Sequence, residues 1–183
     1  SSSKPSLKTT TSLNTLNLPP QMKITHKKKI YLTQKRFTSC ILTHISNKSL
    51  LVTAGDGQMS LWDLNTFKII KTLQIRNFEI NHICYLEHTG LILGSSWNTR
   101  ELRLWSVINQ DIRFHSRKSI NDGASCSIQL TKLDIVCTAL KRDLLFWGSR
   151  SGKNYFRFKI PNQLEIRVIT AVENKNCIAV GCK

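Results

Sequence analysis

Acidic side chains are scarce in this chain and absent from its front. Only 11 Asp and Glu stand against 27 Lys and Arg, a formal charge of +16 over 183 residues. Eight of those cations and none of the acids precede residue 37, so residues 1–36 are a basic arm and the rest is moderately basic. Such a charge favours a polyanionic neighbour, whether RNA, DNA or an acidic protein surface. Long apolar runs are missing too. None approaches the roughly 20 residues of a membrane-spanning helix, so no membrane span is expected. The front also lacks the apolar segment of about 7 to 15 residues found in a secretory signal. Residues 1–20 are rich in Ser and Thr, as organellar transit peptides are, but hold no Arg. A disordered tail is therefore the expectation. The sequence opens on Ser1 and not Met, as a processed or partial chain would.

Catalytic signatures are equally wanting. There is no Gly-x-Ser-x-Gly, no His-Glu-x-x-His, and no Gly-rich loop ending in Lys-Ser or Lys-Thr. The nearest approach, Gly148-Ser-Arg-Ser-Gly-Lys153, lacks the hydroxyl residue after Lys. It also sits between two expected strands, where no helix N-terminus follows to meet a phosphate. The carboxylates are scattered, several in turn-like stretches where Asp caps local backbone groups. No enzyme, catalytic residue, cofactor or metal is expected. The six cysteines include no Cys-x-x-Cys pair, and the histidines do not fall at zinc-ligand spacing. Nor does any stretch sustain a 3.6-residue apolar period.

Three tryptophans supply the positive signal. Trp62, Trp105 and Trp147 are separated by 43 and 42 residues. Each closes a short apolar run: Met59-Ser-Leu-Trp62, Leu102-Arg-Leu-Trp105 and Leu144-Leu-Phe-Trp147. A period of about 40 to 45 residues with Trp ending a strand marks one four-stranded propeller blade per repeat. Cys40, Cys84 and Cys126 precede those tryptophans by 22, 21 and 21 residues. They are expected at one repeat position as buried, reduced thiols. That usage fits an intracellular compartment, cytoplasm or nucleus.

Taken in order, residues 1–22 read as a flexible Ser/Thr/Lys-rich arm and 23–36 as a basic linker or a closing outer strand. Blades follow at 37–75, 80–117, 124–160 and, in part, 165–183. In the first, expected strands are Phe37 to Thr43, Leu50 to Ala54, Met59 to Leu64 and Phe67 to Leu73. Asp56-Gly57 supplies a tight turn because Gly accepts positive φ. In the second they are Ile80 to Leu86, Leu91 to Ser95, Leu102 to Val107 and Ile112 to Ser116. The third runs Ser125 to Leu130, Ile135 to Leu140, Leu144 to Gly148 and Tyr155 to Ile160. Glu165 to Val172 and Cys177 to Gly181 begin a fourth. The expected fold is all-β.

The stretch from Leu50 to Leu64, with Gly55-Asp-Gly57 and Leu61-Trp-Asp-Leu64, resembles a WD repeat. The resemblance covers about residues 37–183 and implies a WD-repeat-like β-propeller. Only Asp63 completes the Trp-Asp pair; Ser106 and Gly148 hold the equivalent places, and no Gly-His pair precedes the first strands. The family's hydrogen-bond set of a turn Asp, a His, a Ser or Thr and the Trp is matched by Asp56 and Trp62. Thr99 and Lys141 replace that Asp in the next two repeats. Closed propellers use about four to eight blades, whereas Phe37 to Lys183 holds about three and a half periods. The ring is thus incomplete, with remaining blades expected from a further stretch of chain or from another chain.

The resemblance also places the loops from outer to inner strands and from second to third strands on one partner-binding rim. That rim carries Arg76, Asn77 and Phe78, then Trp97, Asn98 and Arg100, then Asn121 and Asp122, then Lys141 and Arg142. Exposed Trp, Phe and Arg are frequent interface anchors. Trp97 lies outside the Trp period and could equally fold back on its own blade; Phe78 could cap the core, and the cations could simply be solvated. A second mode uses the arm, where Lys23, Lys27, Lys28, Lys29, Lys35 and Arg36 could neutralise phosphates, with Tyr31 and Phe37 near to stack on bases. A lysine triplet is also a common solvated or localisation run. The expected function is a non-catalytic scaffold or adaptor joining protein subunits of a larger intracellular complex. The alternative is a propeller that grips RNA or DNA directly.

Overall fold

The computed structural model describes residues 38–45, 48–55, 57–161, 164–172 and 177–183, all within one compact unit. Their regular structure is almost entirely β, with a 3-10 turn at Thr131–Leu133. Sheet I holds β1 (Ser39–Ile45), β2 (Lys48–Gly55), β3 (Gln58–Asp63) and β4 (Lys68–Gln74). Sheet II holds β5 (His82–Leu86), β6 (Leu91–Ser95), β7 (Glu101–Ile108) and β8 (Asp111–Ser119). Sheet III holds β9 (Ala124–Leu130), β10 (Ile135–Leu140), β11 (Asp143–Gly148) and β12 (Asn154–Lys159). Sheet IV has β13 (Ile166–Val172) and β14 (Cys177–Cys182). Every sheet is an antiparallel meander in chain order.

The sequence periodicity explains which strand lies where. β10 and β11 are almost wholly apolar and are buried along nearly their whole length. By contrast β12, Asn-Tyr-Phe-Arg-Phe-Lys, is exposed throughout, as an outermost strand must be. The sheets stack in sequence over three cores. Leu50, Val52, Met59 and Leu61 of sheet I meet Ile83, Ile92 and Trp105 of sheet II. Leu93, Leu102 and Leu104 of sheet II meet Val136, Leu145 and Trp147 of sheet III. Cys137, Leu144 and Phe146 of sheet III meet Ile166 and Ile169 of sheet IV. The first strands are neighbours in series, β1 against β5, β5 against β9 and β9 against β13.

Each Trp sits at one recurring irregularity. The pairing of third and fourth strands shifts between Leu61 and Trp62, between Leu104 and Trp105, and between Phe146 and Trp147. A bulge at that point re-aims the outer strand and leaves room for the indole. Trp62 Nε1 donates to Thr53 Oγ1 at 3.1 Å, and Trp147 Nε1 donates to Thr138 Oγ1 at 3.0 Å. These bonds match the hydroxyl-to-Trp part of the set implied by the repeat resemblance; Asp56 lies outside the described residues. In sheet II the equivalent of the two threonines is Gly94, where an added Cβ would lie 2.6 Å from the Trp105 ring. Trp105 therefore packs onto bare backbone.

A buried polar thread joins sheets II and III. Ser127 Oγ lies 3.0 Å from Thr138 Oγ1 and 3.2 Å from Ser95 Oγ. The Ser127 amide is directed at His82 Nδ1 at 3.4 Å, so His82 accepts there in its neutral form. Burial holds the His82 pKa below its ordinary value.

Two expectations need correction. Phe67 was expected to start the outer strand, but it has a left-handed φ of 57° and ends a turn. The cause is Asp63, whose Oδ1 accepts from the amides of Asn65 at 2.7 Å and Thr66 at 2.9 Å. That turn delays β4 to Lys68, and the two amides hold the Asp63 carboxyl below its usual pKa. Second, Cys40, Cys84 and Cys126 do not share a position. Cys40 pairs with Thr53, Cys84 with Leu93 and Cys126 with Ala139, whereas Ile83 and Ser127 are the residues opposite Gly94 and Thr138. Sequence distance to the Trp counted loop residues as if they were strand. Cys40 is accordingly exposed, Cys84 half-buried and Cys126 buried, and all six thiols are free.

Candidate partner-binding rim

Gly57, with φ of 68°, closes the turn between β2 and β3. The corresponding connection in sheet II is longer and carries Trp97. Its amide donates to Asn81 Oδ1 at 2.6 Å, and its half-buried ring lies 5.1 Å from the Arg167 guanidinium carbon. Gly123, in the β8–β9 connection, passes so close that a Cβ there would overlap the Trp97 carbonyl. Asn98 Nδ2 donates to Glu79 Oε2 at 2.8 Å, which ties this loop to the one before β5. Three connections and the start of β13 thus meet at the Trp97 loop.

The neighbouring loop is organised by a residue with no sequence cue. Arg103 donates to the carbonyls of Arg76 at 3.1 Å and Asn77 at 3.4 Å, and its guanidinium stacks 4.5 Å from the centre of the Phe78 ring. Glu101 anchors Arg103 in turn at 2.7 Å. Phe78 is only 3% exposed and meets Trp105 edge-on at 6.0 Å. This places Phe78 in the core and removes it from the rim, because Gly94 leaves space that the two rings fill together.

The rim cations share a simple arrangement. The carbonyls of Arg100, Lys141 and Arg142 accept from the amides of Ile120, Ile166 and Ile160 at 2.9, 2.9 and 3.0 Å. Their backbones are pinned while the side chains, like that of Arg76, are exposed. Asn98 and Asn121 are exposed as well, and Asp122 Oδ1 is occupied by the Gly123 amide. Arg76, Trp97, Asn98, Arg100, Lys141 and Arg142 thus lie in the connections between strands, and all but the half-buried Trp97 are exposed. Lys23, Lys27, Lys28, Lys29, Lys35 and Arg36, with Tyr31 and Phe37, lie outside the described residues.

A cation-to-ring contact at a partly exposed site contributes about 0.5–1 kcal/mol. Arg167 thus holds the Trp97 ring lightly, and Glu165 already engages Arg167 at 2.6 Å. Chemically the site offers an aromatic face, a few amides and four cations. It offers no poised nucleophile.

No protein-family model matches this chain. None of the curated proteins matches it. Among the described residues no three His, Cys, Asp or Glu side chains converge as metal ligands would, and no helix is long and apolar enough to cross a membrane.

Sequence reasoning missed Asn81, Gly123 and Arg167, which lie outside the Trp period, and Arg103, which lies within the Leu102-Arg-Leu-Trp105 run but was given no role. It also passed over Tyr155-Phe-Arg-Phe158. There the cue was present: sheets I and II put Lys71 and Ser116 opposite the residue before the Trp, while sheet III puts Phe156 there.

Proposed function

We propose that this chain is a non-catalytic scaffold subunit whose sheets are blades of a WD-repeat-like β-propeller, with the remaining blades supplied elsewhere. Its rim docks other protein subunits of a larger intracellular complex, nuclear or cytoplasmic. The blade reading is supported by the same bulge before each Trp and by first strands that neighbour one another in series. Six free thiols favour a reducing compartment. The observation that carries the docking role is Trp97, half-buried on a loop tied to Asn81, with Arg76, Arg100, Lys141 and Arg142 exposed in this and other connections. An indole flanked by arginines buries much area for few ordered rotamers, as interface anchors do.

The test is quantitative affinity capture from cells with the native chain, a Trp97→Ala/Arg100→Glu variant, and a Lys68→Glu control on the outer strand of sheet I. Partners that persist with the control and vanish with the rim variant are the expected result. Equal recovery with all three sinks the reading. The exposed cations also favour a second reading, direct binding of RNA or DNA. Filter binding at two salt concentrations addresses it, since phosphate contacts weaken steeply with salt. No retention at low salt removes it.

A further inference from the structure

Sheets II and III each have four strands, yet their junction stays open at its outer end. The outer strands β4 and β8 run against each other where sheets I and II meet, whereas β8 and β12 come less close at the next junction. A cleft of about 560 Å³ lies there, lined by Leu91 and Leu104, by Arg117 and Lys118 of β8, and by Trp147 and Arg150 of sheet III, among others. The hydroxyls of Ser116 and Ser151 also line it, and no Asp or Glu is among its described lining.

The two junctions differ at matched positions. Leu73 of β4 pairs with Met59, and Lys118 of β8 pairs with Leu102. Met59 and Leu102 each lie three residues before the Trp of their sheet. Leu73 packs into the core that contains Trp105 of the next sheet. Lys118 stands in the corresponding place, with Nζ 5.2 Å from the centre of the Trp147 ring. An apolar cover on one indole is thus an ammonium on the next. The cations also differ in their partners. Lys71 reaches across the first junction to Asp111 at 3.4 Å. Lys118 reaches across the second only to the Gly152 carbonyl, at 2.6 Å. That carbonyl belongs to the Gly148-Ser-Arg-Ser-Gly-Lys153 stretch, which leads into β12 and adds a cation of its own, Arg150.

The acids that Arg117 and Arg150 meet are already shared. Glu101 holds Arg103 at 2.7 Å and lies 3.8 Å from Arg117. Asp134 accepts from Ser149 Oγ and lies 3.6 Å from Arg150. The Arg117 and Arg150 side chains are 72% and 65% exposed, so these pairs are weak. Burial holds the Lys118 pKa below its ordinary value, a penalty that an anion beside the ammonium offsets.

We propose that this cleft binds a soluble organic diphosphate. Its phosphate oxygens accept from Arg117 and Lys118 on one wall, from Arg150 on the other, and from the hydroxyls of Ser116 and Ser151. Its organic part lies toward Leu91 and Leu104. Guanidinium forks suit phosphate oxygens, and charge-assisted bonds are about twice as strong as neutral ones. Cations on two walls favour two phosphate groups over one, and a volume of about 560 Å³ is that of a small-molecule site. The site uses none of the rim residues and lies between two four-stranded sheets, so it depends neither on the docking role nor on further blades.

The test is isothermal titration of the full 183-residue chain with inorganic pyrophosphate, at about 0.15 M salt to screen distant charges. One-to-one binding is expected. Lys118→Leu, which installs the residue of the first junction, should weaken it about tenfold or more. Arg117→Glu/Arg150→Glu should abolish it with an unchanged urea midpoint. Lys68→Glu/Lys132→Glu, an equal change of charge, should leave it within about twofold. Inorganic phosphate should bind about tenfold more weakly than pyrophosphate. Absence of one-to-one binding overturns the proposal. So does equal weakening by the two paired variants, which would make net charge the cause, or equal binding of inorganic phosphate. Retention on vesicles with phosphorylated inositol headgroups by a chain that ignores pyrophosphate also overturns it, since a membrane would then be the source.

Discussion

Thr53, Gly94 and Thr138 occupy one position in three sheets, and the odd residue is not a defect. Gly94→Thr would restore the majority residue, yet its Cβ meets the Trp105 ring and Phe78 behind it. We expect a loss of about 1–3 kcal/mol from overpacking, read as a lower urea midpoint. Thr138→Val preserves shape but strands Trp147 Nε1 and breaks the link to Ser127. A buried unpaired donor costs about 1–3 kcal/mol, and an unchanged midpoint would deny these hydroxyls their role. The thiols make a separate prediction. Burial pushes Cys84 and Cys137 up to about 12, from an ordinary 9.0. The folded chain therefore keeps protons that the unfolded chain releases as pH rises above 9.0. Their contribution is complete below that value and is lost on the way to about 12. Urea midpoints at about pH 8 and about pH 10.5 should fall more for the native chain than for a Cys84→Ala/Cys137→Ala variant.

At the scale of strands and turns, much could be read directly from residues. Alternation and apolar runs mark the 14 strands of the described residues, within a residue or two at most ends, because sheets buried on one or both faces impose their pattern on side chains. The bulges could not be read, since the extra residue belongs to backbone pairing and leaves no compositional trace. Nor could the Trp97 site, whose supports come from three connections and the start of β13, far apart in sequence. Gly123 illustrates this: in the sequence it is one of eight glycines, and in the fold it passes against the Trp97 carbonyl. Gly123→Ala must push that loop outward. We expect a loss of about 1–3 kcal/mol, with altered tryptophan emission that a Trp97→Phe background abolishes. An identical spectrum would mean that the two connections do not meet.

Across the whole molecule, stability should be graded along the chain. Two-stranded sheets are marginal alone, and sheet IV leans on sheet III through a single core. Amide exchange at Ile169 and Val180 should outpace that at Val136 and Cys137 by at least about tenfold, because local opening precedes global unfolding. Equal protection would show the four sheets opening as one. The hydroxyl thread from Ser95 through Ser127 to Thr138 has a mechanical corollary. An array of stacked units usually yields under tension one unit at a time, each rupture independent of the last. Sheets II and III are stitched by polar contacts that only survive dry, so water admitted by the first to tear reaches the second at once. Pulled from its ends, this chain should release those two sheets in a single step of doubled length.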